Sequence, residues 1–278
     1  MKIKQLNKAL EQLVAEANFS LRQDIIFSLK TACLREKSKL AKKALNWIIK
    51  NAQIAKIEKI AICQDTGLPV IFIEIGRNLR ISGLIIEEIK KIVELSYQKN
   101  YLRRSAVDPL ERNKPSYKNS VIYHIDYSPD LEGLRISLLP KGFGCENKSQ
   151  LKMFNPTVSI ERIEDFLVES AIKAGPEACP PFIIGVGIGG TSDTALLMAK
   201  KVLLEKINKP NRDLNLGRLE KRVLARINSL GIGPMGLGGR TTCLAVKIKK
   251  APTHIAGLPV GVNISCHALR SASVIINP

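Results

Sequence analysis

The spacing of apolar residues predicts helices over about the first 60 residues of the chain. In the first stretch apolar residues recur every three or four positions, which places them on one side of a helix. These residues are Leu6, Leu10, Leu13 and Ala17. A second stretch has the same spacing at Leu40, Ala44, Trp47 and Ile48. We therefore expect an N-terminal helical region in which each helix buries one face.

Beyond this region, helical and strand-like patterns are mixed. The pattern predicts helices at 84–98, 161–175, 191–207 and 216–231. It predicts strands at 69–76, 121–127, 134–140, 182–188, 241–250 and 259–266, with the polar turn SPDLEG joining the second to the third. Helices and strands that mix without strict alternation favour a mixed α/β fold, with β-sheets surrounded by helices. Because no repeat or low-complexity linker interrupts the chain, we expect one domain over residues 1–278.

Composition narrows the class of protein. Hydrophobic residues make up 45% of the 278 residues and charged residues 24%, an ordinary balance for a globular protein. No apolar run approaches the roughly 20 residues that a membrane-spanning helix needs. The first residues, MKIKQLNKALEQLV, alternate apolar residues with charges, unlike a signal peptide. We expect a soluble cytoplasmic protein that does not enter a membrane.

The net charge of +18 raises the alternative of a basic nucleic-acid-binding protein. The lysines are scattered along the chain, as in KSKLAKKAL and KIKKAP, with no interleaved aromatic residues. No zinc-finger or RNA-binding signature is present. This pattern argues against nucleic acid as a partner and leaves attraction of anionic substrates as an explanation of the charge.

The stretch GVGIGG places glycines at 185, 187 and 190, which matches the G-x-G-x-x-G of a dinucleotide-binding turn. That motif requires a second parallel strand with an acidic residue about 20 positions further on. The helix here leads instead into the polar stretch KINKPNRDLNLG. We therefore expect these glycines to allow a close approach of the backbone to something other than a dinucleotide.

Three of the six cysteines lie at junctions between an element and a loop, where side chains can converge on a pocket. These are Cys63 in CQDTG, Cys179 in EACPPF and Cys266 in NISCHALR. No two cysteines lie within four residues of each other, so the paired spacing of a structural zinc site is absent. Thiolates suit iron–sulfur clusters, and three ligands on a four-iron cluster would leave one iron open as a Lewis acid. The alternative for each cysteine is that it packs as a small apolar residue, which Cys33 and Cys243 fit well.

Five motifs in order resemble the class I fumarate hydratases. They are CQDTG, GFGCENKSQLKMF, ACPPFIIGVGIGGTSDTA, LGIGPMGLGGRTTCLAVKI and PTHIAGLPVGVNISCHALR. The resemblance runs from about residue 20 to the C-terminus and is strongest to the α subunit of the two-subunit fumarase and L-tartrate dehydratase type. It implies the class I fumarase N-terminal-domain fold and an oxygen-sensitive [4Fe–4S] hydro-lyase that interconverts fumarate and L-malate. Dehydration of L-tartrate to oxaloacetate is the alternative within the class.

The resemblance also implies roles for individual residues. The three cluster ligands match Cys63, Cys179 and Cys266. Gln64 and Asp65 match residues that contact substrate and the labile iron, Arg103 and Gly144 match residues at the substrate, and His254 matches an active-site histidine. We expect Asp65 and His254 to assist proton movement. A guanidinium group such as that of Arg103 suits a substrate carboxylate. His267, beside a ligand, is expected to pack around the cluster, and His124 to be structural.

The chain departs from the family pattern in one loop, which reads GFGC where the family usually has GGGS. Phe143 could narrow the pocket there, and Cys145 could be a spectator thiol or an alternative ligand. In this family the catalytic base belongs to a second domain, which the two-chain type carries on a separate β subunit. We therefore expect a hetero-oligomer whose α chain alone holds the cluster without turnover. A non-catalytic paralogue that keeps only the fold is the remaining alternative.

Overall fold

The computed structural model describes residues 3–277. Contacts within the chain divide it into two compact units. Unit 1 comprises Met1–Arg22, Asn51–Gly142 and Arg270–Pro278, and unit 2 comprises Gln23–Lys50 and Phe143–Leu269. A single domain over 1–278 stays a prediction. The two units are described one at a time.

Helices and strands together form a mixed α/β chain. The helices are α1 (Ile3–Phe19), α2 (Gln23–Arg35), α3 (Lys39–Glu58), α4 (Gly83–Lys99), α5 (Phe143–Glu146), α6 (Ile160–Ala174), α7 (Ser192–Lys201) and α8 (Leu214–Ser229). The strands are β1 (Leu68–Gly76), β2 (Ile122–Ser128), β3 (Leu134–Lys141), β4 (Gln150–Phe154), β5 (Phe182–Gly190), β6 (Cys243–Thr253), β7 (Leu258–Ser265) and β8 (Ala272–Ile276). Short 3-10 turns lie at Pro176–Ala178, Val202–Leu204 and Pro234–Gly236. None of the helices within the described range is both long enough and apolar enough to cross a bilayer.

Unit 1 contains a four-stranded mixed sheet with the order β2-β1-β3-β8. Strand β1 runs parallel to β2 and antiparallel to β3. The predicted strands at 121–127 and 134–140 are therefore present, but they flank β1 and do not pair with each other. The turn that joins them carries the chain across the end of β1.

The core of unit 1 confirms the predicted apolar faces of α1 and α4. The α1 residues Leu6, Leu10, Leu13 and Ala17 are all buried. They form one apolar cluster with Ile89 and Val93 of α4 and with Ile71 and Ile73 of β1. Alternate residues of a strand point to the same face, so Ile71 and Ile73 both meet the helices.

Unit 2 contains a second four-stranded mixed sheet with the order β4-β7-β5-β6. Strand β5 is parallel to β6 and antiparallel to β7. Helix α6 buries Ile163, Phe166, Leu167 and Ala171 on one face. Helix α8 begins at the N-cap Asp213, whose carboxylate accepts hydrogen bonds from the backbone N–H groups of Asn215 and Leu216.

The glycines of GVGIGG serve the contact between β5 and α7. A Cβ atom placed on Gly185 would lie 2.0 Å from the carbonyl oxygen of Ala199, and one on Gly187 would lie 2.1 Å from that of Ala195. Only a residue without a side chain allows the helix so close to the strand. The expectation that these glycines permit a close backbone approach is confirmed, and what approaches is α7. This helix ends at Lys201, earlier than the predicted 207.

Other predictions about local structure were incomplete. In α3, Ala44 and Ile48 are buried, but Leu40 and Trp47 are exposed and the Lys43 ammonium lies 4.9 Å from the centre of the Trp47 ring. The stretch KGFGCENKSQ, interpreted as a loop, contains α5 and the first residue of β4. Neither β4 nor β8 was predicted, because each has only five residues and β4 is exposed or partly exposed along its length.

Candidate active site

The CQDTG turn of unit 1 directly precedes β1. The Asp65 carboxylate accepts a hydrogen bond from the backbone N–H of Gly67 at 3.0 Å, which closes a tight turn. Cys63 is partly exposed, and its thiol donates to the side-chain oxygen of exposed Gln64 at 3.3 Å. The turn therefore presents a thiol, an amide and a carboxylate in consecutive positions.

A buried threonine connects this turn to the predicted substrate-binding arginine. The hydroxyl of Thr66 accepts a hydrogen bond from the backbone N–H of Arg103 at 2.9 Å. Thr66 is buried, whereas the side chain of Arg103 is exposed. Unit 1 thus brings together Gln64, Asp65 and Arg103, three residues that the sequence assigned to substrate handling.

Arg270 supports the turn from behind and was not predicted from the sequence. It is only 4% exposed, and its Nη2 donates to the backbone carbonyl of Asp65 at 2.8 Å. Its buried Nε and Nη1 atoms have no hydrogen-bond partner among the described residues. A Cβ placed on Gly142 would lie 3.1 Å from Asp65 Oδ2 and 3.8 Å from Arg270 Nη2, so glycine allows the backbone to pack against the carboxylate. The signal for Arg270 in the sequence was its place at the end of the CHALR motif.

Tyr97 completes this polar cluster within unit 1. Burial raises the pKa of its hydroxyl above the usual range, while the positive charge of Arg270 acts to lower it and the negative charge of Asp65 acts to raise it. Tyr97 therefore stays protonated. The Asp65 turn rests on a buried arrangement in which a cation and a neutral phenol lie behind the exposed polar side chains.

Unit 2 brings Cys179 and Cys266 to the same end of its two central strands, β5 and β7. Cys179 lies just before β5 and Cys266 just after β7, and the neighbouring residues Ile183 and Ser265 are paired in the antiparallel ladder. His267, the residue after Cys266, links the two cysteines. Both its backbone N–H (3.3 Å) and its Nδ1 (3.0 Å) contact the carbonyl oxygen of Cys179. Nδ1 must carry a proton to donate to that oxygen.

The backbone of Cys179 has an unusual conformation. Its φ and ψ of 51° and 65° lie in the left-handed region, which non-glycine residues rarely adopt. Its N–H donates to the Pro176 carbonyl at 3.0 Å, and the carbonyl of the next residue, Pro180, accepts from Met235 N–H at 2.8 Å. Such conformations concentrate at functional sites, where neighbouring contacts hold them in place.

Burial separates the six cysteines into two groups of three. Cys63, Cys179 and Cys266 are partly exposed, and no cysteine of the chain is in a disulfide. The other three, Cys33, Cys145 and Cys243, are buried. Burial raises the pKa of Cys243 to about 12, so this thiol stays protonated and unsuited to binding metal.

The donor set fits a soft metal group. The three cysteines that the sequence assigned as ligands are the three that are partly exposed. The thiol of Cys145, weighed as a spectator or an alternative ligand, donates to the Ala178 carbonyl at 3.3 Å inside the core of unit 2. This position favours the spectator role. Among residues 3–277, no three histidine, cysteine, aspartate or glutamate side chains form a ready-made metal-binding group.

Gly144 and Phe143 lie in α5 of unit 2. A Cβ on Gly144 would be 3.7 Å from the carbonyl oxygen of Glu177, an ordinary contact, so the surrounding protein does not require glycine there. Phe143 is 44% exposed. That it narrows the pocket stays a prediction.

His254 lies at the opposite end of the strands of the unit 2 sheet. It follows β6, whose last residue Thr253 pairs with Gly190 at the end of β5, whereas Cys179 lies before the start of β5. Seven residues of strand separate Ile183 from Gly190, or roughly 23 Å at about 3.3 Å per residue. His254 is exposed, and its Nδ1 accepts from the backbone N–H of Ala256 at 3.1 Å. Within unit 2 it is not brought together with Cys179 and Cys266.

Accessible thiols, an amide, a carboxylate and a guanidinium suit a metal-dependent enzyme that acts on carboxylate substrates. The chain belongs to the fumarate hydratase (Fumerase) family, whose sequence model matches residues 7–275. The predicted resemblance to class I fumarate hydratases is confirmed.

Individual relatives share this chain's length and are named for tartrate. One, from Methanocaldococcus jannaschii, is named "Putative L(+)-tartrate dehydratase subunit alpha" and is 42% identical over 273 residues, covering 96% of each chain. The L(+)-tartrate dehydratase subunit alpha of Escherichia coli K12 is 27% identical over 278 residues, covering 99% of this chain and 92% of that one.

Proposed function

We propose that this chain is the α subunit of an iron–sulfur hydro-lyase that dehydrates L(+)-tartrate to oxaloacetate together with a separate β subunit. The observation that carries the proposal is the similarity to a relative named as a tartrate dehydratase α subunit, 42% identical over 96% of both chains. Family membership supports hydro-lyase chemistry in general. The names of the relatives favour tartrate as the substrate. The first expectation from the sequence was fumarate, with tartrate as the alternative.

Cys63, Cys179 and Cys266 are the proposed ligands of a [4Fe–4S] cluster. Their partial exposure supports this assignment, and the buried position of the other three cysteines supports their exclusion. When bound through three thiolates, such a cluster supplies one iron with an open position, a Lewis acid that polarises a substrate hydroxyl. Family membership implies the cluster.

The remaining groups bind and orient the substrate. The exposed guanidinium of Arg103 suits a bidentate contact with one substrate carboxylate, and the amide of Gln64 suits a second polar contact. Asp65 is the proposed proton carrier, at the carboxylate that packs against Gly142. Arg270 holds the backbone of that residue in place through its hydrogen bond to the Asp65 carbonyl. Gly144 stays a proposed contact of the substrate, since the absence of a side chain leaves room for the substrate beside the backbone.

His254 is left out of the proposed site of its own chain. Its place at the far end of the unit 2 strands separates it from Cys179 and Cys266. A catalytic role for His254 stays a prediction that its position within unit 2 does not support. The catalytic base is expected on the β subunit.

Interconversion of fumarate and L-malate is the second candidate function. The name of the family supports it. L-malate and L(+)-tartrate are both four-carbon dicarboxylates and differ by one hydroxyl, so the same thiols and the same arginine would serve either substrate. A site specific for tartrate would need a polar group that hydrogen-bonds to the second hydroxyl, which L-malate lacks.

The test is a comparison of the two substrates with the anaerobically reconstituted complex of α and β subunits. We expect kcat/KM for L(+)-tartrate to exceed that for L-malate by at least about tenfold, since sites built to bind a hydroxyl strongly reject its absence. A preference for malate would replace the first candidate with the second. A loaded complex that turns over neither substrate would contradict both.

A variant of the proposed proton carrier separates chemistry from cluster binding. We expect Asp65→Asn to lower kcat by about 10²- to 10⁴-fold while the iron content stays at the wild-type level. Asp130→Asn, at an exposed carboxylate in a turn of the same unit, is the control and should leave kcat unchanged. Equal activities of the two variants would remove Asp65 from the mechanism.

A further inference from the structure

Strand β2 forms one edge of the unit 1 sheet and exposes large apolar residues. Ile122 is 42% exposed, Tyr123 40%, Ile125 44% and Tyr127 77%. The strand pairs with β1 without a bulge over its whole length and contains no lysine or proline. Proteins usually protect such an edge with charges, prolines or bulges, because it invites pairing with another strand. Within β2 the protection is limited to the Asp126 carboxylate, and the Lys90 ammonium of α4 lies 5.5 Å from the centre of the Tyr123 ring.

That carboxylate shows which backbone groups point outward. The backbone N–H of Tyr127 donates to the side chain of Asp126 at 2.9 Å, so a local side chain and not β1 serves as its partner. Backbone groups of a strand alternate between its two sides. The N–H and C=O groups of Tyr123 and Ile125 therefore also face the outer edge, where an added strand would meet them.

From Tyr123 to Tyr127, the sequence of β2 is self-complementary about Ile125. It reads IYHIDYS from Ile122 to Ser128. If two copies of β2 ran antiparallel across a twofold axis at Ile125, Tyr123 of each would lie opposite Tyr127 of the other. His124 would lie opposite Asp126, and Ile125 would meet its own copy. Aromatic pairs and pairs of opposite charge directly across a sheet stabilise it.

The two faces of β2 fit this pairing as well. Tyr123 and Ile125 are in register with the buried core residues Ile71 and Ile73, so their exposed side chains extend the apolar face of unit 1 to its edge. On the opposite face, the ring of His124 stacks on Phe72 with the ring centres 5.3 Å apart. A second copy would cover the apolar residues with the same residues of its own and place a carboxylate beside each imidazole.

We propose that β2 is an interface between two copies of this chain, paired antiparallel about Ile125 so that two unit 1 sheets join into one. The occupant is a second copy because the complementarity is palindromic. A strand from a different protein would require no such symmetry in β2, whereas a twofold axis requires that each residue suit its mirror position. The proposal depends only on this edge and is independent of the substrate.

Cysteine substitutions test the register of the pairing in the full-length chain. In a hydrogen-bonded antiparallel pair the Cα atoms are about 5.5 Å apart, within the range for a disulfide of about 4.4–6.8 Å. Ile125→Cys should therefore crosslink to its own copy under mild oxidation. Tyr123→Cys alone should not, because four residues of strand, roughly 13 Å, separate it from its copy. The double variant Tyr123→Cys/Tyr127→Cys should crosslink again.

The crosslinked dimer is measured by non-reducing gel and intact mass. Wild-type protein gives the background from the six native cysteines. We expect at least about fivefold more dimer for Ile125→Cys than for wild type or Tyr123→Cys. Absence of extra dimer at residue 125, or an equal yield for Tyr123→Cys alone, would overturn the proposal.

Sedimentation of the unmodified chain gives an independent measurement. We expect wild type to sediment as a dimer at micromolar concentration and Ile125→Lys, which places like charges face to face, as a monomer. Ile275→Lys is the matched control, because Ile275 is 51% exposed on β8 at the other edge of the same sheet. Circular dichroism verifies that each variant is folded. A monomeric wild type, or dissociation by Ile275→Lys alone, would contradict pairing through β2.

Discussion

Units 1 and 2 hold their predicted site residues in different ways. In unit 1, buried side chains far away in the sequence hold the backbone of two site residues, since Thr66 binds the backbone of Arg103 and Arg270 binds that of Asp65. In unit 2, the backbone itself places Cys179, through bonds to Pro176 and to His267. The first arrangement depends on a few replaceable side chains, and the second on the fold.

This difference has a consequence for mutations. Substitution of a supporting side chain in unit 1 should change activity more than it changes folding. Changes within the core of unit 2 should act first on stability, because the ends of its strands carry two of the proposed cluster ligands. Three substitutions test this contrast, in order of decreasing expected effect.

The largest effect is expected for the buried ion pair of unit 2. The side chain of Lys247 is 4% exposed and that of Glu220 10%, with Nζ and Oε2 3.6 Å apart, and Lys247 also donates to the Lys209 carbonyl at 2.8 Å. Lys247→Met leaves the Glu220 carboxylate buried without its cation. We expect a loss of about 3–5 kcal/mol in the free energy of unfolding, measured with urea.

The matched control for this pair lies two residues further along β6. Lys249 pairs with Glu205 at 2.8 Å, with side chains 52% and 45% exposed. Lys249→Met should cost less than about 1 kcal/mol, because water screens the exposed charges. Similar losses for both variants would show that burial of the pair does not govern the stability of unit 2.

Next in size is the effect of removing the arginine behind Asp65. Arg270→Met removes the donor to the Asp65 carbonyl, and a shift of about 1 Å in a positioned group can reduce a rate by about 10²-fold. We therefore expect kcat/KM to fall by about that factor, mainly through kcat, in a protein that keeps its iron. Arg270→Lys should recover part of the loss. Arg135→Met, which breaks the pair with Glu74 on the same sheet, is the control. A fall that merely follows lost iron or unfolding would make Arg270 a structural residue only.

The smallest effect of the three concerns the contact between β5 and α7. In Gly185→Ala the new Cβ meets the Ala199 carbonyl oxygen at 2.0 Å, and relief of this clash should cost about 1–3 kcal/mol of stability. Gly257→Ala is the control in unit 2, where a Cβ would meet nothing within 4 Å. Thermal unfolding of both variants measures the difference. Unchanged stability of Gly185→Ala would mean that α7 can move away from β5 at little cost.

The elements that the sequence predicted well are those with strong local periodicity. The stripe from Leu6 to Ala17 is buried throughout, and α4 lies where its pattern placed it. Strand order was beyond a local pattern, because β1 lies between two strands that come later in the chain. Strand β8 was missed for a related reason, since its five residues gain their partner, β3, only in the folded sheet.

The same limit applies to the candidate site. Motifs singled out the three accessible cysteines, although accessibility itself appears only in the folded chain. Arg270 was missed because its partner Asp65 is 205 residues away, and a sequence motif does not say which of its residues point inward. The position of His254 depends on the register of β5 with β6, and adjacency to a motif in sequence could not reveal it.

The most direct test of the account compares an accessible cysteine with a buried one. Wild type, Cys179→Ala and Cys243→Ala are reconstituted anaerobically with iron and sulfide, and iron content and visible absorption are measured. We predict about four iron atoms per chain for wild type and for Cys243→Ala, and loss of iron and colour for Cys179→Ala. A colourless wild-type chain, or a Cys179→Ala variant that keeps its iron, would contradict the proposed cluster.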